Sequence, residues 1–212
     1  MTTESAHDRD LGDEHEITGD MLADEDANAR DINISAETPE YPEASFFAPA
    51  ASSNFRRWGS QSPRPVSLIV IHITDGREKI AGPIGHFQRD GLQASAHYVI
   101  GRDGQVVQMV HHNDIAWHAT SANRTSIGIE HCARSPRELG RDDVGLPVTE
   151  AQYQASAKLV RFLCQELGVP VDRDHIKGHC EAAKTTHEDC PNRIWDWKYY
   201  MNLLTAGDPN QA

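Results

Sequence analysis

Two histidines, two cysteines and three carboxylates crowd into one short stretch of the chain, Lys177-Gly178-His179-Cys180-Glu181 followed by Thr186-His187-Glu188-Asp189-Cys190-Pro191. Among common divalent ions, thiolate and imidazole donors together suit zinc. The ligands this stretch supplies most readily are His179 and Cys190, and two ligands do not close a zinc site. A third must come from elsewhere. Whether a fourth position then stays open for water separates a catalytic zinc from a structural one.

The elements that could bring a third ligand to this stretch are legible upstream. Ser67-Leu68-Ile69-Val70-Ile71-His72-Ile73 is a near-continuous apolar run, as expected of a strand buried on both faces near the centre of a sheet. It ends in His72, ahead of the turn signal Thr74-Asp75-Gly76. From position alone His72 reads equally as a satisfied core residue and as a site residue at the strand's mouth. Thr125-Ser126-Ile127-Gly128-Ile129-Glu130-His131-Cys132 is a second strand with Ile127 and Ile129 on one face. Glu130 at its end is either a surface carboxylate or one aimed into the same cleft as His72. Asp174 to His179 form a short strand that leads into the opening stretch.

Around these strands the chain alternates. Ile80, Ile84 and Phe87 have helical spacing over residues 79–90, and Gly101-Arg102-Asp103-Gly104 joins two β-prone runs into a hairpin. The loop from His111 to Ala119 is polar and histidine-rich, with one large aromatic, Trp117. Loops of that kind are where binding residues concentrate, although His111 and His112 themselves read as solvated. Thr149 and Gln152 form a capping box for a helix whose core stripe is Tyr153, Ala157, Val160, Cys164 and Leu167, closed by Gly168. Trp195 to Leu204 make a final aromatic, amphipathic helix. The pattern predicts an α/β domain with a mixed central β-sheet flanked by helices. If the strand ends converge, His72, His179 and Cys190 supply three ligands and leave one position open. A gap of roughly a hundred residues between the first two ligands also excludes a zinc finger or ribbon.

Charge sets the outer limits. The chain of 212 residues has a net charge of −12, and residues 1–43 carry all of it, with fourteen acidic side chains against Arg9 and Arg30. The remainder is neutral, and no basic face supports nucleic-acid binding. Such an acidic, aromatic-poor segment buries too little apolar surface to offset its ordering entropy, so residues 1–43 are expected to be a disordered tail. Residues 44–65, with Phe46, Phe47, Phe55 and Trp58 among prolines, are expected to form an extended arm, and residues 66–206 the catalytic domain. Four cysteines are too few for a disulfide scaffold. The N-terminus shows no basic and apolar leader pattern and no apolar run is long enough for a membrane span. The expectation is a monomer made in the cytoplasm, without a readable signal peptide, whose export, if any, would use a route other than the general secretory one.

Six pieces in order resemble one family: Ile69 to Thr74, Ser95 to Gly104, Ala116-Trp117-His118-Ala119, Ser126 to Glu130, Gly178-His179, and Asp189-Cys190-Pro191 with Trp195-Asp196-Trp197. The chain is similar over residues 66–204 to the zinc-dependent N-acetylmuramoyl-L-alanine amidases that share their fold with peptidoglycan recognition proteins. The resemblance implies a Zn2+ cofactor held by His72, His179 and Cys190, with Asp189 as the alternative third ligand. It implies Glu130 as general base and Trp117 and His118 as residues that touch sugar or peptide. The implied substrate is peptidoglycan or a muropeptide, cut at the amide between the lactyl group of N-acetylmuramic acid and L-alanine. Many members carry a lysine where this chain has Glu188, which cannot donate to an oxyanion; the neighbouring His187 resembles the histidine of a subset of members and takes that role here. A recognition module that binds peptidoglycan without turnover is the alternative. Cys180 reads as packing, with redox pairing to Cys132 as the lesser reading.

Overall fold

The computed structural model describes residues 32–76, 78–136, 145–187 and 189–206. Along the chain run β1 (Phe46–Phe47), β2 (Phe55–Arg56), β3 (Leu68–Ile73), α1 (Ala81–Gln88), β4 (Tyr98–Ile100), β5 (Val106–Gln108), β6 (Ile115–Ala116), β7 (Ser126–His131), α2 (Glu150–Leu167), β8 (Ile176–Gly178), α3 (His179–Ala182) and α4 (Trp197–Thr205), with a 3-10 turn at Thr120–Thr125. Six strands form one sheet in the order β1-β5-β4-β7-β3-β8, and β2 pairs separately with β6. Among the described residues, only the β4–β5 hairpin is antiparallel within the large sheet; its other pairings are parallel. The expected mixed sheet with flanking helices is what forms.

Period-2 alternation sorts the side chains of the central strands. Ile69, Ile71, Ile127 and Ile129 share one core with Leu159, Val160 and Leu163 of α2 and Tyr200 and Leu204 of α4. Fully burying each of these aliphatic side chains contributes about 1.5–3 kcal/mol. Val70 points the other way, into a small cluster with Ala119 and Ala122. Parity therefore places His72 and Glu130 on that second face. Capping of α2 follows the sequence: Thr149 accepts from the Gln152 backbone, the Gln152 side chain accepts from the Thr149 N–H, and Gly168 ends the helix at φ 68°. Cys164 lies on the buried stripe as expected. No helix among the described residues is long and apolar enough to cross a membrane.

The expected boundary at residue 43 moves. Residues 1–31, most of the acidic segment, lie outside the described residues, but residues 32–43 pack on the domain. Tyr41 is 4% exposed, in the same core as α2, edge-on to Tyr98 at 6.5 Å. Ser35 bridges to Phe47, and Glu43 pairs with Lys158 at 3.2 Å. Glu40 stays partly exposed and ties this piece to the loop after β5. Its carboxylate accepts from the His112 N–H at 2.8 Å and from the Gln108 side-chain amide, and lies 3.5 Å from His111 Nδ1. Neither His111 nor His112 is a free loop residue as expected: His111 stacks on Phe47 and His112 bonds the Tyr98 hydroxyl.

This clasp should be pH-dependent. Burial acts to raise the Glu40 pKa, but the hydrogen bonds and charges of His111, His112 and Gln108 outweigh it and bring the carboxyl down to about 2. Its contribution is therefore complete above the ordinary value of 4.5 and is lost as pH falls toward 2. His111 is raised above 6.5, mainly by its bond to Glu40, so its contribution is present below 6.5 and is lost as pH rises through the raised value. Glu40→Gln should lower the melting temperature most between about 4.5 and about 6.5. Thermal melts of both proteins across pH check this; an equal difference at every pH would contradict it.

Arg64, between Pro63 and Pro65, is 5% exposed and ties the arm to the loops under the sheet's second face. Its guanidinium donates to the carbonyls of His112 (2.7 Å), Ser126 (2.9 Å), Arg124 (3.2 Å) and Asn123 (3.3 Å). Burial brings its pKa down to about 10, so it remains charged at neutral pH. Arg64→Ala strands these carbonyls and should cost about 3 kcal/mol or more in denaturant unfolding. Arg64→Lys should recover little, because an ammonium lacks the guanidinium fork.

Candidate active site

The parallel strands β3, β7 and β8 end at one edge of the sheet, where ligands of open α/β sheets characteristically bind. Register does the first part of the assembly. His72 is the direct partner of Glu130 across β3 and β7, so both side chains rise on the same face, with His72 Nδ1 3.9 Å from Glu130 Oε1. Gly178 ends β8 and His179 opens α3, directly beyond the same sheet edge. Cys190 arrives from the following loop: its carbonyl accepts from the Cys180 N–H at 2.9 Å, and its Sγ lies 3.5 Å from the Ile73 N.

One donor atom each from His72, His179 and Cys190 lies within 4.8 Å of the others. The structure brings together the three residues expected as ligands. Asp189, the alternative, instead faces outward and pairs with Arg193 at 3.3 Å. The cleft, of about 370 Å³ counting its open mouth, is lined by these three residues with Ile73, Thr74, Asp75, His118, Glu130 and His187. His187 sits beside His179, rings near parallel with centroids 5.8 Å apart. Glu188 lies outside the described residues. Trp117 is half-buried and does not line the cleft; its backbone pairs with Ser95. His118 does line it, and hydrogen-bonds His72 Nε2 through Nδ1 at 3.0 Å. Neither Cys180 nor Cys132 is in a disulfide, and Cys132 lies in the core under α1.

The donor set fits a zinc ion on two grounds. First, His179 Nε2 and Glu130 Oε2 are buried side-chain atoms with no hydrogen-bond partner among the described residues, an arrangement proteins rarely leave uncompensated. Second, burial holds these groups in forms that a cation would change. Burial lowers His72 and His179, His179 to about 4; it raises Glu130 to about 8 and, with Glu130 adding to the effect, raises the Cys190 thiol. Every group is pushed toward its neutral form, and a divalent ion reverses that preference for thiol and carboxyl. Three protein ligands with an adjacent unpaired carboxylate match the catalytic zinc pattern.

Two residues that matter here carried no sequence signal as site residues. Ser126 and Gly128 on β7 set the position of the His118 ring: Ser126 Oγ is 3.2 Å from His118 Nε2, and a Cβ built on Gly128 would stand 2.4 Å from His118 Cγ. The signal that could have found Gly128 is a glycine inside a buried strand, which often marks a close approach.

Fold and constellation together are those of a hydrolase of mixed α/β architecture, with a His–His–Cys cluster at the mouth of its sheet. The comparisons make this specific. The chain belongs to the N-acetylmuramoyl-L-alanine amidase family Amidase_2, whose family model matches residues 62–193. It is similar to N-acetylmuramoyl-L-alanine amidase A of Achromobacter lyticus, 32% identical over 179 residues that cover 76% of this chain and 94% of the relative. It is also similar to the 1,6-anhydro-N-acetylmuramyl-L-alanine amidase AmpD of Haemophilus influenzae, 32% identical over 162 residues, 68% of this chain and 85% of the relative. Among solved structures, a selenomethionine derivative of AmpD superposes with a TM-score of 0.54 at 28% identity, covering 77% of this chain and 95% of the other. The amidase AmiD from E. coli, solved with anhydro-N-acetylmuramic acid-L-Ala-D-gamma-Glu-L-Lys, shares the fold with a TM-score of 0.57 at 22% identity, over 70% and 61% of the two chains.

Proposed function

We propose that this protein is a zinc-dependent amidase that hydrolyses the bond between the lactyl group of N-acetylmuramic acid and the L-alanine of the stem peptide, in peptidoglycan or in muropeptides released from it. The observation that carries this reading is the buried convergence of His72, His179 and Cys190 beside an unpaired Glu130 carboxyl oxygen. Relatives named for this bond supply its identity.

Zinc in the site supplies Lewis-acid polarisation of the scissile carbonyl and a more acidic water. The chain's own residues do the rest. Glu130 Oε2, with no partner among the described residues, accepts the water's proton and returns it to the leaving amine. His187, at the cleft wall beside His179, is placed to donate to the oxygen that gains charge as the carbonyl carbon becomes tetrahedral. Burial of Glu130 and His72, 5% and 2% exposed, excludes bulk water and strengthens each of these interactions.

The test is mass spectrometry of products from intact cell wall and from soluble muropeptides, each treated with the zinc-loaded full chain. Free stem peptides with an L-alanine amino terminus, together with peptide-free muramic residues, support the reading. Which of the two substrates yields them faster assigns the physiological form. Binding to cell wall with no released peptide would replace it with a recognition role.

A further inference from the structure

His118 has a second partner besides His72, and the two contacts together determine where the hydrogens sit. Ser126 Oγ lies 2.7 Å from the Ala122 carbonyl and 3.2 Å from His118 Nε2. A hydroxyl has one proton, and a carbonyl can only accept, so the Ser126 proton goes to Ala122. The Ser126 oxygen must then accept, and the hydrogen between it and His118 belongs to His118 Nε2. In the neutral ring this leaves His118 Nδ1 as the acceptor. The contact of 3.0 Å with His72 is thus donated by His72 Nε2–H. That leaves the lone pair of His72 on Nδ1, the nitrogen 3.9 Å from Glu130 Oε1, facing the cleft.

We infer that His118 is a positioning residue for the metal site. With Ser126 and the Ala122 carbonyl it forms a hydrogen-bond chain that holds His72 in the Nε2–H tautomer and presents Nδ1 as the ligand atom. This rests on the proposed zinc site and adds to it a partner outside the ligand set. The chain is braced on its other sides. The backbone N–H groups of His118 and Ala119 both donate to Asn123 Oδ1, at 2.9 and 2.6 Å. The absence of a side chain at Gly128 leaves the space that the ring occupies. A metal-bound histidine usually gives its other N–H to a carboxylate, carbonyl or water. Here a second, neutral imidazole takes that place.

The experiment measures zinc affinity of the full chain by competition with a chromophoric chelator, for wild type, His118→Ala, His118→Asn, His118→Gln, Ser126→Ala and Cys190→Ala. Thermal melts of each confirm folding. An Asn side chain puts its oxygen where Nδ1 was, so His118→Asn can accept from His72; Gln puts its oxygen nearer the Nε2 position and cannot. His118→Ala and His118→Gln should weaken zinc binding by about tenfold to a hundredfold, and His118→Asn should recover most of the loss. Ser126→Ala, which removes the hydroxyl but keeps the backbone contact of residue 126 with the His118 ring, should show a smaller loss in the same direction. Two-bond 1H–15N spectra of the imidazoles should show His72 as a single Nε2–H tautomer in the zinc-free wild type and as a mixture in His118→Ala. If His118→Ala still folds, zinc affinity within about twofold of wild type would overturn the relay while leaving the metal site standing. So would equal affinities for the Asn and Gln variants. Wild type that binds no zinc, or Cys190→Ala that binds it as tightly as wild type, would instead remove the metal site, and the relay with it.

Discussion

Glu130→Gln is expected to leave the protein folded and zinc-loaded while lowering amide hydrolysis by at least about a hundredfold. Strand register sets the position of this carboxyl. Glu130 is held opposite His72 in the centre of the sheet, on a strand whose six residues are all buried, so its carboxyl cannot move away from the site. Burial pushes its pKa up to about 8, which means that the protein around it already accommodates a neutral group. An amide of the same shape therefore costs the fold little. It is not one of the three donors that cluster within 4.8 Å, so zinc should remain. What the amide cannot do is take a proton. With a dication in the site the wild-type carboxyl is favoured as the base, and general base catalysis of this kind contributes about 10²–10⁴-fold. The measurement is kcat on muropeptide with zinc content determined on the same sample. Near-normal turnover at full zinc occupancy would move the base to another residue.

Cys190→Ala is expected to lose both zinc and activity. Two imidazoles remain, each lowered by burial, and two neutral donors do not hold zinc against water and chelators as three protein ligands with a thiolate do. The effect should also appear in stability. Wild type should melt higher with zinc than after chelation, because an ion that binds only the folded chain stabilises it by mass action; Cys190→Ala should show little or no such difference. Because Cys190 Sγ also sits 3.5 Å from the Ile73 N–H and 3.9 Å from its carbonyl, the alanine variant should lose some packing even without metal. Zinc-free melts of the two proteins measure that part separately. Turnover by Cys190→Ala at wild-type rates would contradict the ligand assignment outright.

These outcomes bear on how the site came to be readable. Some of it is local. The alternation in Leu68–Ile73 and Ser126–His131 determines two faces whatever the strands pair with, and it puts Ile71 and His72, or Ile129 and Glu130, on opposite sides. The hairpin around Asp103-Gly104, the capping box at Thr149 and the left-handed end at Gly168 are decided by a few consecutive residues. The motifs around His72, Glu130, His179 and Cys190 are also contained in short stretches, and so the family and the candidate ligands were visible before any fold.

Tertiary structure decided the rest, because it depends on partners far apart in sequence. Parity allowed His72 and Glu130 to share a face; only the β3–β7 register made them direct neighbours. Along the chain either Asp189 or Cys190 could face the cleft; the folded loop turns Asp189 toward Arg193 and Cys190 toward Ile73. His118 reads locally as a loop residue available to substrate, whereas the missing side chain at Gly128 lets its ring lie against the strand and reach His72. Residues 32–43 show the limit of composition most directly. Their acidity predicts solvation, and Glu40 does keep its carboxylate partly in solvent while binding Gln108, His111 and His112 about seventy residues away; it is the neighbouring Tyr41 that enters the core.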